Sequence, residues 1–253
     1  NFINNIAYLE RIFETIDEPV TVKDAEHAIK MPKIRGKVTF DHVTFAYDET
    51  KTILKDVSFT VNPGESVALV GPTGAGKSTI VNLISRFYNV NGGKVLIDDQ
   101  DIADVTIHSL RAQMGIMMQD SFIFSGTIAD NIRYGKLDAT QEEIEKAGKI
   151  VCADPFIREM PKGYETQVRE RGSMLSQGQK QLISFARTLL CDPAILILDE
   201  ATSSIDVQTE KALQTGLNRM LKGRTSFIIA HRLSTIRGCD KIMYIDDGVI
   251  AEA

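Results

Sequence analysis

Gly71-Pro72-Thr73-Gly74-Ala75-Gly76-Lys77-Ser78-Thr79 is the stretch whose reading decides the fold. It satisfies G-x-x-x-x-G-K-[ST], the pattern of a loop that cradles phosphate. Its flanks are those such a loop needs. Glu65 to Val70 reads as a short buried strand, and Ile80 to Phe87 as an apolar helical run, so the order is strand, glycine turn, helix. Glycines let successive backbone N–H groups converge on phosphate oxygens with no Cβ in the way, and the helix N-terminus adds partial positive charge. The loop residues Gly71 and Thr73 to Thr79 are therefore candidate nucleotide contacts. Lys77 is placed to reach the β- and γ-phosphates, and the Ser78 hydroxyl to ligate Mg²⁺.

Outward from the loop, the chain alternates between strand and helix. Lys37–Phe45 and Thr52–Val61 alternate apolar and polar residues as half-buried strands do, and Asn62-Pro63-Gly64 turns the second into the strand that feeds the loop. Asn91-Gly92-Gly93 breaks to a strand at Lys94–Ile97, and Met114–Met118 ends at Gln119. About Gly126 to Leu190 the pattern is helical, clearest at Gln141–Ile150 and Gln179–Leu190. Alternation then resumes with strand Ala194–Leu198, helix Val207–Leu221, strand Thr225–Ala230 and a hairpin over Lys241–Ile250. The predicted fold is α/β: a mostly parallel P-loop NTPase sheet, an antiparallel β subdomain before it and a helical subdomain inserted at about 126–190.

Ile195-Leu196-Ile197-Leu198-Asp199-Glu200 is an apolar strand ending in two carboxylates. Apolar on both faces, it belongs inside the sheet, and its acidic end projects into the crevice where ligands bind such sheets. Asp199 is placed to hold Mg²⁺ through water, and Glu200 to polarise an attacking water. Leu175-Ser176-Gln177-Gly178-Gln179 precedes a second apolar helix, which makes Ser176, Gly178 and Gln179 a second anion site; a plain polar helix start explains the same residues. Two phosphate sites in one chain invite a head-to-tail dimer with each ATP held between two subunits.

The composition fits a folded globular chain: 253 residues, 43% hydrophobic and 25% charged. No apolar run reaches the roughly 20 residues of a membrane span. Cys152, Cys191 and Cys239 are odd in number and widely spaced, as in a reducing compartment. The net charge of −5 argues against a nucleic-acid partner. Phe2, Ile3, Ile6, Leu9, Ile12, Phe13 and Ile16 recur at helical spacing. That helix is either a surface helix docked on its own domain or the tail of a longer element.

Taken together the motifs resemble the nucleotide-binding domain of an ABC transporter of exporter type, over nearly everything from Gly36 onward. Gly71–Thr79 is similar to Walker A and Ile195–Glu200 to Walker B with its catalytic glutamate. Leu175–Gln179 resembles the signature Leu-Ser-Gly-Gly-Gln, with Gln177 in place of its first glycine. The resemblance implies further roles. Tyr47 stacks on adenine. Gln119 reaches Mg²⁺ and the attacking water and couples the site to the membrane domain. Thr166-Gln167-Val168-Arg169-Glu170-Arg171-Gly172 is the exporter loop that contacts that domain. Ser203–Asp206 crosses the dimer interface, although Asp206 also suits a helix N-cap, and His231 contacts the γ-phosphate.

By the same resemblance Glu200, His231, Gln119 and Lys77 are the catalytic group, Ser78, Gln119 and Asp199 the Mg²⁺ ligands, and ATP the nucleotide. Residues 1–35 are expected to be the end of a last transmembrane helix plus linker, and 36–253 the ATPase domain at the cytoplasmic face of a membrane. Its expected partners are a second such domain, identical or not, and the transporter's transmembrane domain. The alternatives are an importer ATPase, disfavoured by the exporter-like loop and the N-terminal helix, and a DNA-repair or chromosome ATPase. The latter carries a long coiled coil where this chain has only its helical insert.

Overall fold

The computed structural model describes residues 2–48, 50–117, 122–169, 172–199, 207–230 and 233–252. After helix α1 (Phe2–Ile16), strands β1 (Val38–Ala46) and β2 (Thr52–Val61) pair antiparallel. Strand β3 (Ser66–Val70) leads through the glycine loop into helix α2 (Lys77–Ile84). Then come β4 (Gly92–Ile97), β5 (Gln100–Asp101), α3 (Ile107–Arg111) and β6 (Met114–Met117).

The insert follows. The short strands β7 (Gly126–Thr127) and β8 (Gln167–Val168) pair with each other and frame helices α4 (Ile128–Arg133), α5 (Gln141–Ile150) and α6 (Asp154–Glu159). Helix α7 (Gln177–Leu190) returns the chain to the sheet. Strand β9 (Ile195–Asp199), α8 (Val207–Leu221), β10 (Thr225–Ile229), α9 (Leu233–Arg237) and the hairpin of β11 (Lys241–Asp246) and β12 (Val249–Glu252) complete the fold.

Two sheets result. One is antiparallel in the order β2-β1-β4-β5; the other runs β12-β11-β3-β10-β9-β6, parallel except for its edge strand β12. This is the α/β arrangement expected. The parallel strands are buried on both faces, which is why Val67–Leu69, Ile195–Leu198 and Phe227–Ile229 read as continuous apolar runs. Side-chain alternation splits the core between those faces. Val67, Leu69, Ile197 and Phe227 point toward α2 and the antiparallel sheet, where Phe40, Leu54, Ile80 and Ile84 meet them. Ala68, Leu196, Leu198 and Ile228 point toward the helices, against Ile128, Ile132, Leu182 and Phe185.

Two local outcomes differ from the pattern-based expectation. Helix α2 stops at Ile84 instead of running to Phe87, because Arg86 takes a left-handed backbone with φ 50. Helix α7 begins at Gln177, inside the pentapeptide, not at Gln179. Its start is a capping box: Ser176 Oγ accepts from the Gln179 N–H, and Gln179 Oε1 accepts from the Ser176 N–H.

Residues 23–37, expected to lie partly in a linker, run along the β4–α3 side of the domain. Ile29 bridges Val105, Ser109 Oγ accepts from the Met31 N–H and Gln113 Oε1 from the Ile34 N–H. The Asp98 carboxylate accepts the N–H groups of Gly36 and Lys37 at 3.2 and 2.9 Å. Met31 and Ile34 are buried in the same core as α2. These apolar residues are too sparse to form a period, and side-chain-to-backbone hydrogen bonds hold the strap instead.

Candidate functional site

The glycine loop is fixed from below by backbone. Gly71 has φ 144, and a Cβ there would lie 2.0 Å from the Ile245 carbonyl oxygen on β11. The Ala75 carbonyl accepts from the Gly248 N–H at 3.1 Å, so the loop is tied to the β11–β12 turn. Gly76, the N-cap of α2, has φ 111, and its Cβ would meet Leu54 Cδ2 at 2.8 Å. Gly74, φ 83, has nothing within 4 Å of where a Cβ would be, so the loop's outer side is open. Only glycine combines these dihedrals with this backbone approach. Gly71→Ala is therefore expected to cost at least about 2 kcal/mol. For a chain of this size that lowers Tm by roughly 4–8 °C in calorimetry, and an unchanged Tm would contradict the close packing on Ile245.

Lys77 opens α2 and is almost fully buried. Its Nζ donates to the carbonyls of Gly71 and Pro72, 2.8 Å each, which folds the ammonium over the loop. Burial pushes its pKa below the usual lysine range, and the Asp199 carboxylate opposes that shift. Asp199 reaches the same place from the end of β9. Strands β9, β10 and β3 are parallel neighbours, so their C-terminal ends open on one edge. The cleft at that edge, about 350 Å³, is lined by Tyr47, Thr73, Gly74, Gly76, Lys77, Ser78, Thr79 and Asp199. Its size is within the range of small-molecule sites.

Tyr47 stands at the rim. Its hydroxyl is 3.1 Å from Thr79 Oγ1, and its ring is nearly half exposed. The structure thus gathers most of the expected loop residues, Tyr47 and Asp199 around one cleft, with Gly71 and Ala75 beneath it. It also adds Ile53 and Ile229, which the sequence reading did not single out. Alternation along β2 carried the signal for Ile53: Leu54 turns into the core, so Ile53 faces the opposite way.

Ser176, Gly178 and Gln179 do not line this cleft. They lie at the start of α7, where Ser176 is exposed, Gln179 half-buried and Gly178 buried, and Gln179 borders a separate groove with Cys152, Phe156 and Ala212. In the capping box the Ser176 oxygen accepts a hydrogen bond, which leaves its own O–H to be donated outward. Gln177 occupies the first helical position, where no positive φ demands glycine. Gln119, Glu200 and His231 lie outside the described residues, as do Glu170, Arg171 and Ser203–Asp206.

The donor set suits a magnesium nucleotide. The Ser78 and Asp199 oxygens border one cleft, and a hard cation with few protein ligands takes the rest from phosphate and water. Among the described residues no group of three or more His, Cys, Asp or Glu could hold a metal alone.

Comparison with known proteins agrees with this geometry. The family model described as ABC transporter matches residues 54–203. The ABC transporter ATP-binding protein YknV of Bacillus subtilis (strain 168) is 55% identical over 243 residues, 96% of this chain and 40% of that protein. The fatty acid ABC transporter ATP-binding/permease protein of Mycobacterium bovis is 46% identical over 98% of this chain and 39% of its own length. Human ATP-binding cassette sub-family B member 6 is 46% identical, covering 100% of this chain and 30% of that protein. Among solved structures, a bacterial Atm1-family ABC exporter with ATP bound superposes with a TM-score of 0.88. It is 45% identical and covers 98% of this chain and 44% of the exporter. The chain thus spans about two fifths or less of the curated relatives it matches.

Proposed function

The chain belongs to the ABC transporter family as an exporter-type ATP-binding domain, and from that premise we propose that it hydrolyses Mg-ATP to drive export across a membrane. The observation that carries this reading is the cleft in which Lys77, Ser78 and Asp199 come together beneath Tyr47. ATP lies with its base against Tyr47 and its phosphates over the loop. The loop N–H groups and the start of α2 take the phosphate oxygens. Lys77 exchanges its two carbonyl acceptors for the β- and γ-phosphates. Ser78 and Asp199, with Gln119, would hold Mg²⁺, which would supply positive charge to offset that of the phosphates. Glu200 orients and deprotonates the attacking water, and His231 donates to the γ-phosphate.

The Ser176–Gln179 helix start completes the site of a second chain, since within one chain it does not border the cleft. Two domains, identical or not, therefore close head to tail over two nucleotides, and ATP acts as a ligand for the closed state.

Two surfaces support a membrane-domain partner. Phe122, Phe124 and Tyr134 form an exposed, mutually packed aromatic patch with the Arg187 guanidinium over it. On α1, Leu9, Ile12, Phe13 and Ile16 are exposed, an apolar helix face that asks for a neighbour outside the chain. No helix among the described residues is long and apolar enough to cross a membrane. Attachment at the cytoplasmic face of a membrane would run through a permease part such as the names of the ATP-binding/permease relatives indicate. The importer and chromosome-ATPase alternatives are not favoured by these exporter relatives.

The test is phosphate release from ATP with Mg²⁺ and with excess EDTA. Turnover should require the metal; release that persists in EDTA would contradict the assignment of Ser78 and Asp199.

A further inference from the structure

Helix α2 ends in a full Schellman turn, with the Phe87 N–H on the Asn82 carbonyl at 2.9 Å and the Arg86 N–H on that of Leu83 at 3.0 Å. The left-handed residue in such a turn is usually glycine, since any Cβ is disfavoured there. Here it is Arg86, φ 50 and 3% exposed. Strain of this kind persists where the surroundings over-determine it, and the arginine side chain supplies the reason. Arg86 Nη1 donates to the Val105 carbonyl at 2.6 Å and Nη2 to the Lys23 carbonyl of the incoming strap at 3.0 Å. Arg111 braces the corner from its other side. It donates to the carbonyls of Ser85 and Arg86 at 3.0 and 2.7 Å, and its guanidinium sits 4.7 Å over the Phe87 ring.

The next residue faces the nucleotide cleft's rim. The Tyr88 ring meets the Tyr47 ring edge to face, centroids 4.9 Å apart at 84°, and lies 5.7 Å from Phe45. Phe45 meets Tyr47 in the same way at 4.9 Å and 86°. Ring quadrupoles favour such edge-to-face contacts over a face-to-face sandwich, and the two neighbours together define the tilt of Tyr47. Asn91 closes the arrangement, its Oδ1 accepting from the Ala46 N–H at 2.7 Å.

We propose that the 85–88 corner is a joint between the incoming strap and the base platform: Tyr88 positions the Tyr47 ring, and Arg86 holds the corner to the strap at Lys23. This rests on the reading that Tyr47 faces the adenine. It makes Tyr88 a positioning residue for the base and leaves the phosphate contacts untouched. Movement of the strap would then reach the base before it reached the phosphates.

Calorimetric titration of the chain with Mg-ATP and with magnesium tripolyphosphate separates the two, because the ratio of affinities reports the nucleoside end of the ligand apart from its phosphates. Tyr88→Leu is expected to lower that ratio about three- to ten-fold, with tripolyphosphate affinity changed less than about two-fold. Tyr88→Phe, which keeps the ring, should restore it. Arg86→Gly suits the left-handed backbone and so should fold, and it should lower the ratio in the same direction. Tyr47→Leu is the reference. If it lowers the ratio while Tyr88→Leu does not, or if Tyr88→Leu weakens both ligands equally, the positioning role is overturned. An unchanged ratio in Arg86→Gly overturns the joint to the strap. If Tyr47→Leu itself leaves the ratio unchanged, the adenine assignment fails and this inference fails with it.

Discussion

Lys77→Ala is expected to weaken ATP binding at least ~100-fold, about 2.7 kcal/mol, measured by calorimetric titration. The size follows from what the side chain does. Lys77 is the buried cation at the start of α2, and its Nζ already sits between two loop carbonyls at 2.8 Å. Phosphate offers charged acceptors in their place, and charge-assisted hydrogen bonds are roughly twice as strong as neutral ones. Alanine removes the ammonium that spans the Gly71 and Pro72 carbonyls, and with it the positive charge that the Asp199 carboxylate favours. A modest loss of thermal stability should accompany the loss of affinity. Unchanged affinity in a folded variant would sink the phosphate-loop assignment.

Glu200→Gln is expected to bind ATP nearly normally and to turn over at least ~100-fold more slowly. Glutamine keeps the length and a carbonyl acceptor but has no basicity with which to take the proton of the attacking water. The residues that line the cleft, from Tyr47 to Asp199, are unaltered by the change, so affinity should hold. Glu200 follows Asp199 directly in the sequence, and Asp199 ends a strand whose parallel neighbours open that end on the cleft. Single-turnover phosphate release is the measurement that isolates the step. Near-normal turnover would remove Glu200 as the general base.

The nucleotide loop and its strand–helix context were legible in the sequence because the signal is local: a fixed spacing of glycines and one lysine between two apolar runs. The same holds for β9, whose unbroken apolar run followed by Asp199 could only be an inner strand. What the sequence hid was decided by contacts between distant segments. That Gly71 sits against the Ile245 carbonyl depends on a strand more than 170 residues away, and nothing near Gly71 announces it. The stop of α2 carried no glycine, since an arginine side chain compensates for the strained backbone. The strap at Met31 and Ile34 has no hydrophobic period, because Asp98, Ser109 and Gln113 fasten its backbone.

One miss was legible. Ser176-Gln177-Gly178-Gln179 is itself a capping-box pattern, and it places the helix start inside the pentapeptide. That start also gives Gln177 a structural account: an exposed first-turn position tolerates a side chain.

The central claim is that two such domains clamp two nucleotides between them, because the cleft and the α7 start of one chain do not meet. Light scattering on Glu200→Gln with and without Mg-ATP tests it most directly, since slow turnover preserves the bound state. The expected result is a monomer that doubles in mass when ATP is added, and the same variant carrying Ser176→Arg should stay monomeric. A chain that remains monomeric with ATP bound at saturation would contradict the two-chain site.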